Sequence, residues 1–391
     1  MDGLQTVREH FVAKFGESPR VYRAPGRVNL IGEHTDYNDG FVMPAAIGFY
    51  CWIAIAPRKD DKLVIYSEQF PSHAELDLSS SATQTQPFHS WSDYPIGVAL
   101  QLRGAGSPLR GANLLIRGEV PMGAGLSSSA AVEVATAIAL ADSSELALDR
   151  RQLARICQNA ENQFVGTKSG IMDQFISLHG EGGHALLLDC RSLQFDLLPI
   201  PESVRLVICD TGVKHEHAGG EYNQRHAECE EAVRSLKQTL PNIRALRDVS
   251  EPQLEQNRAL LSDVTYKRAL HVVSENARVL QGADALRSGD LGRFGKLMAE
   301  SHRSLRDLYE VSSRELDRMV EIASQQPGLY GARLTGGGFG GSTINLVDAA
   351  HAEAFAQNVA AAYERATSFA AHTYICMPAD GASRVDIVTP K

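Results

Sequence analysis

Apolar positions along this chain change their period, and each change marks an element. Apolar runs at 49–56, 62–67 and 113–118 predict strands. The spacing then lengthens. Ala131, Val134, Ala135 and Ile138 recur three and four apart, as do Leu153, Ile156, Cys157, Ala160 and Phe164. Helices are therefore predicted over 128–142 and 151–165. Short apolar runs at 185–190 and 205–210 suit buried strands, and from about 220 to 325 the pattern is mostly helical. A strand at 342–347 and a helix near 351–365 close the series. Elements that cluster by type predict α+β layers, not a doubly wound sheet. Residues 79–86 are polar enough for an exposed loop, and neither an internal repeat nor a low-complexity tract interrupts the chain.

With 391 residues, 43% of them hydrophobic, the chain has material for two or three domains. Its 38 basic and 47 acidic side chains leave a net charge of −9, without a basic run, so nucleic acid is not an expected partner. No apolar stretch approaches the roughly 20 residues that span a membrane. The N-terminus, MDGLQTVREHF, lacks the apolar centre of a signal peptide. Six scattered cysteines without a C-x-x-C pair read as buried free thiols. A soluble cytoplasmic protein is expected.

The densest chemistry lies in PMGAGLSSSAA, residues 121–131. Gly123 and Gly125 permit a tight turn with exposed N–H groups, and any of Ser127, Ser128 and Ser129 could cap the helix that follows. Such a turn at the positive end of a helix dipole is an anion site, with a nucleotide phosphate as the expected guest. It is not a Walker loop, because no Gly-Lys-Ser/Thr occurs. A G-x-G-x-x-G does occur at Gly336, Gly338 and Gly341, but it leads into a strand near the C-terminus, where a dinucleotide fingerprint does not belong. Five glycines in six residues there still imply backbone in close approach to something.

Residues 23–40, RAPGRVNLIGEHTDYNDG, crowd hydrogen-bonding side chains between glycines, as the reading of sugar hydroxyls requires. Glu161 falls on the edge of its helix's apolar stripe. It is either a salt-bridge partner or a ligand of Mg²⁺ bound to phosphates. Asp173, in GTKSGIMDQF, either caps a helix or belongs to a site. His215 and His217 lack a third ligand at sensible spacing and read as loop histidines.

Together these segments resemble the GHMP kinases. PMGAGLSSSAA looks like their ATP-binding loop, and GRVNLIGEHTDYNDG resembles the signature of their galactose-phosphorylating branch. SGIMDQF, TGVKHEHAGGEYNQR, HVVSENAR and ARLTGGGFGGSTINLV match further blocks of that branch, so the resemblance runs from Arg23 to Val347. It implies an α+β fold of two domains, 1–190 and 191–391, with the active site in the cleft between them. It implies transfer of phosphate from Mg-ATP to the anomeric hydroxyl of D-galactose, the entry step of galactose use, by a monomer. Glu33, His34, Thr35, Asp36 and Tyr222 would contact the sugar. Gly123, Ala124, Gly125, Leu126, Ser127, Ser128 and Ser129 would wrap the triphosphate. Ser129 and Glu161 would hold Mg²⁺, Asp173 would be the acid-base residue, and Arg27 would stabilise charge beside it. The chain departs from the family in the glycine-rich Ala218-Gly219-Gly220 and in His226, where a second arginine is common. Sensor relatives that bind the same ligands without catalysis have a shortened ATP loop. Here Ser127 to Ala131 is intact.

Overall fold

The computed structural model describes residues 3–79, 86–106, 108–214 and 218–385. Most of the loop expected at 79–86, and both His215 and His217, lie outside the described residues. In chain order the strands are β1 (Arg20–Asn29), β2 (Phe41–Val42), β3 (Pro44–Pro57), β4 (Lys62–Ser67), β5 (Ala74–Asp77), β6 (Ala112–Gly118), β7 (His184–Asp189), β8 (Phe195–Pro199), β9 (Val204–Lys214), β10 (Leu329–Thr335), β11 (Gly340–Asp348), β12 (His372–Cys376) and β13 (Ser383–Val385). Among the described residues they form three sheets, ordered β13-β1-β3-β6-β4-β5, β10-β11-β9-β12 and β2-β7-β8. All pairings are antiparallel except β4 with β6. Helices cover the sheets in the α+β arrangement expected. The division at 190 does not follow the strand pairing. β7 and β8 pair across it, and β13 carries the end of the described chain back to β1.

The helix Ser128–Ser143 packs on β1 and β3. It is buried on more than one face because its alanines 130, 131, 135, 137 and 139 admit close approach from all sides. The main core runs from this helix and the first sheet to Val279 and Phe294 of the later helices and to Ile344 and Leu346 of β11. One core thus joins both halves of the chain.

Strand β1 falls where the periodicity predicts no strand. Residues 24–29 are buried without alternation, and the register shifts between Pro25 and Arg27. A bulge of this kind re-aims a side chain, here Arg27. The helix expected at 151–165 is α-helical only over Arg150–Asn159; Ala160–Val165 widens into a π-turn closed by Gly166, at φ 98°. The six cysteines are buried free thiols. No helix among the described residues is long and apolar enough to cross a membrane.

Candidate active site

The bulge in β1 sends Arg27 beneath the glycine-rich turn. Its Nε and Nη2 donate to the two oxygens of Asp173 at 2.7 and 2.6 Å, and Nη1 donates to the Gly125 carbonyl at 2.6 Å. Burial alone would weaken the arginine's charge, but Asp173 and Glu33 outweigh it and its pKa is raised. Asp173 lies in the first turn of Met172–His179, yet its oxygens serve Arg27 and the Ser127 hydroxyl. Asp173 does not cap this helix, whose cap position is Ile171. Ser127 itself stands in the left-handed region, at φ 59°, and its side chain does not cap the helix. A serine held there is strained, and strain of this sort collects at functional sites.

The close approach implied by the second glycine run is to the first run. A Cβ on Gly336 would lie 2.8 Å from the Gly125 carbonyl oxygen, and one on Gly341 would lie 3.3 Å from the Ala124 backbone. The Ser342 hydroxyl donates to the Ala124 carbonyl at 2.7 Å. Gly123 and Gly125 have φ near +75°, as the turn requires. The side chains of Ala124 and Leu126 are buried in the core, so these two residues offer the cleft only backbone.

The 32–41 segment is clasped by the helix Asp263–Arg287. Glu275 accepts from the Gly32 N–H at 2.9 Å, Asn276 accepts from the Phe41 N–H at 2.9 Å, and His271 donates from Nε2 to the Glu33 carbonyl at 3.2 Å. These three contacts give the HVVSENAR block a structural task. Burial favours the neutral form of Glu275, but Arg278, His271 and Arg333 outweigh it and bring its pKa down to about 2. A carboxyl whose folded pKa lies below the usual 4.5 contributes stability above pH 4.5 and loses it as pH falls toward 2. The expected worth is on the order of 3 kcal/mol. Urea melts of wild type and Glu275→Gln should therefore differ most above pH 5 and converge in acid.

Within the clasped segment, Glu33 is locked by the Gly336 N–H at 2.8 Å and Arg333 at 3.2 Å, all through its Oε1. His34 donates from Nε2 to the Gly337 carbonyl at 3.2 Å and accepts at Nδ1 from Tyr37, whose hydroxyl meets that of Tyr309 at 2.7 Å. Burial first, then His271, holds the His34 pKa down to about 3, so the ring is neutral. Burial and the neighbouring Asp173 push Asp36 up to about 7. Tyr222, from the helix Ala218–Leu236, lies 5.3 Å from His34, ring to ring. Arg27, Glu33, His34, Asp36, Asp173 and Tyr222 line one cavity of about 150 Å³. Thr35 is the exception among the expected sugar contacts. Its hydroxyl is bonded to the carbonyls of Gly32 and Phe41, so its side chain shapes the loop and does not line that cavity. His226 lies tilted beside Tyr37, ring centroids 5.0 Å apart.

Glu161, carried on the π-turn, is 7% exposed. Its Oε2 accepts from Ser169 at 2.6 Å and Gln174 at 2.8 Å, while Oε1 faces the Ser129 hydroxyl at 3.3 Å. Burial raises its pKa. The salt bridge left open by the sequence is not made among the described residues.

Glu161 and Tyr222 also line a second cavity of about 450 Å³ between the two glycine runs, shared with Ser129, Gly123 and Gly125. Ser129 and Tyr94 connect it to a third, of about 490 Å³, walled by Phe70, Trp91, Ile116 and Val132. Phe70 and Trp91 stack there at 5.6 Å. Sequence reasoning missed this apolar chamber. The aromatic spacing in FHSWSDY, residues 88–94, was its only signal.

Three family models match in chain order: a galactokinase galactose-binding signature over 9–57, a GHMP kinases N terminal domain over 93–181, and a GHMP kinases C terminal over 283–365. The Methanococcus jannaschii mevalonate kinase shares the fold, with a TM-score of 0.64 at 20% identity over 93% of this chain and 99% of its own. Fold and paired glycine turns thus define the GHMP kinase class. Galactokinase of Chloroflexus aggregans is 49% identical over 98% of each chain. The Lactococcus lactis galactokinase solved in complex with galactose superposes with a TM-score of 0.93 at 37% identity, over 98% of this chain and 100% of that one. The chain belongs to the galactokinase family.

Proposed function

We propose that this chain transfers the γ-phosphoryl group of ATP to the anomeric hydroxyl of D-galactose, giving α-D-galactose 1-phosphate and ADP. The carrying observation is the Arg27–Asp173 pair, which lines the acidic cavity of about 150 Å³ while Arg27 Nη1 holds the carbonyl of Gly125 in the glycine-walled cleft. That volume suits one monosaccharide, below the ~300 Å³ of a drug-sized site. Phosphoryl transfer passes through a loose transition state, so positioning and charge neutralisation do most of the catalysis. Asp173 orients the sugar hydroxyl and takes its proton as the oxygen bonds to phosphorus and ADP departs. Arg27 keeps that carboxylate in place and offsets charge in the low-dielectric site. Asp36, Glu33, His34 and Tyr222 read the remaining hydroxyls, while the backbone of 123–129 receives the phosphates.

Magnesium fits the donors present. Glu161 is a buried carboxylate without a cationic partner among the described residues, and Ser129 offers a hydroxyl beside it. Among the described residues no group of three or more His, Cys, Asp or Glu side chains could hold a metal by itself. That agrees with an ion taking one or two protein ligands and completing its shell with phosphate and water. When bound, Mg²⁺ neutralises the phosphate charge.

The apolar chamber is assigned to the adenine. Stacking of a base on an aromatic ring contributes about 1–3 kcal/mol, so Trp91→Ala should raise KM for ATP by about 5–150-fold while KM for galactose stays unchanged. Release of ADP measured with galactose, glucose and N-acetylgalactosamine tests the whole reading. Release with galactose alone supports it, and failure with galactose ends it.

A further inference from the structure

Glu133 lies four residues after Ser129 on the same helix face and is 0% exposed. Among the described residues no cation pairs with it. Among the described residues its side chain bonds to Gln174, whose Nε2 donates to Glu133 Oε2 at 3.0 Å and to Glu161 Oε2 at 2.8 Å. Gln174 is likewise 0% exposed and is the residue after Asp173. Glu133 Oε1 and Gln174 Oε1 are both buried without partners. A carboxamide has two donors on nitrogen and only acceptors on oxygen. Two carboxyl oxygens converging on one amide therefore select its nitrogen and prevent the reversed orientation, which would set Gln174 Oε1 against Glu161. With Glu161 Oε2 held by Gln174 and Ser169, Oε1 is the oxygen left facing Ser129.

We propose that Glu133 is a positioning residue for phosphoryl transfer, acting through the Gln174 amide to orient Glu161 toward the metal-bound phosphates. The inference rests on the kinase reading above. Groups that orient a metal ligand from behind are worth about 10–100-fold in metal affinity or activity when removed. Burial favours the neutral form of Glu133, so a glutamine there would preserve its shape and its acceptor and could also meet the orphaned Gln174 Oε1.

The test titrates wild type, Glu133→Ala, Glu133→Gln, Gln174→Leu and the double variant Glu133→Ala/Gln174→Leu. The probe is the β,γ-imido analogue of ATP, with and without Mg²⁺, followed by calorimetry; galactose is titrated in parallel and melting curves check the fold. Glu133→Ala should weaken binding of the Mg²⁺-loaded analogue by about 10–100-fold, leaving the metal-free analogue and galactose within about threefold. Glu133→Gln should restore wild-type binding. Gln174→Leu should reproduce the alanine effect, and the double variant should be no worse than either single one, because all act through one amide. Equal losses with and without metal, no loss at all, additive losses, or a glutamine variant as damaged as the alanine one would each overturn the proposal. If Glu133→Ala does not fold, Glu133→Gln and Gln174→Leu decide the matter. Wild-type enzyme that fails to phosphorylate galactose would instead overturn the kinase reading, a result the calorimetry does not touch.

Discussion

Asp173→Asn is expected to lose turnover by ~10²–10⁴, the usual scale for an acid-base group, while binding galactose within a few-fold of wild type. The carboxylate now accepts two N–H donors from Arg27 and the Ser127 hydroxyl. An asparagine oxygen satisfies only part of that set and cannot take the sugar's proton. The amide nitrogen would face a guanidinium that is itself 7% exposed, so the loss includes disturbed geometry as well as lost basicity. Steady-state rates with galactose calorimetry alongside separate the two effects. More than a tenth of wild-type turnover in the variant would remove Asp173 from the chemistry.

Asp36→Ala should abolish most activity on galactose without creating comparable activity on glucose. The two sugars differ only in the direction of the C4 hydroxyl. A site whose buried polar groups are satisfied by one arrangement can reject the other by about 10⁴. Asp36 has the placement for this. It is fastened by the backbone N–H groups of Tyr37 and Met172, and Gly170 leaves it room, since a Cβ there would lie 2.1 Å from its carboxyl. Because its pKa stands at about 7, the acceptor form is lost as pH falls through neutrality, and KM for galactose should rise on the acid side of 7. The ratio of kcat/KM for the two sugars, measured for both proteins across pH 6 to 8, decides the matter. Wild-type rates on galactose from Asp36→Ala would clear Asp36 of reading the sugar.

The site's polar residues were legible because chemistry of this kind crowds charge and glycine into short segments: 23–40, 121–131 and 166–175. What the periodicity missed has physical causes. Ala131, Val134, Ala135 and Ile138 mark a narrow stripe that leaves Glu133 outside it, whereas an alanine-rich helix can be buried well beyond that stripe. The π-turn at Ala160–Val165 shifts Glu161 off regular helical spacing, and a single inserted residue leaves no periodic trace. β1 escaped because a strand buried without alternation, with a bulge at Pro25, shows no period of two. The apolar chamber draws Phe70 from the loop after β4, Trp91 from the turn before the helix Asp93–Gly104 and Ile116 from β6, a convergence of distant segments that periodicity does not report.

The clasp on the 32–41 segment bears on how sugar recognition could be moved between proteins. Glu275 grips Gly32 from 243 positions further along the chain, and His271 and Asn276 hold Glu33 and Phe41 across similar gaps. Transplanting residues 23–40 into a foreign scaffold would carry over the groups proposed to read hydroxyls and leave behind the anchor points that hold them. Recognition here is divisible in sequence and indivisible in space. A recipient would have to receive 271–276 in register with the loop before the transplanted acids addressed a sugar at all.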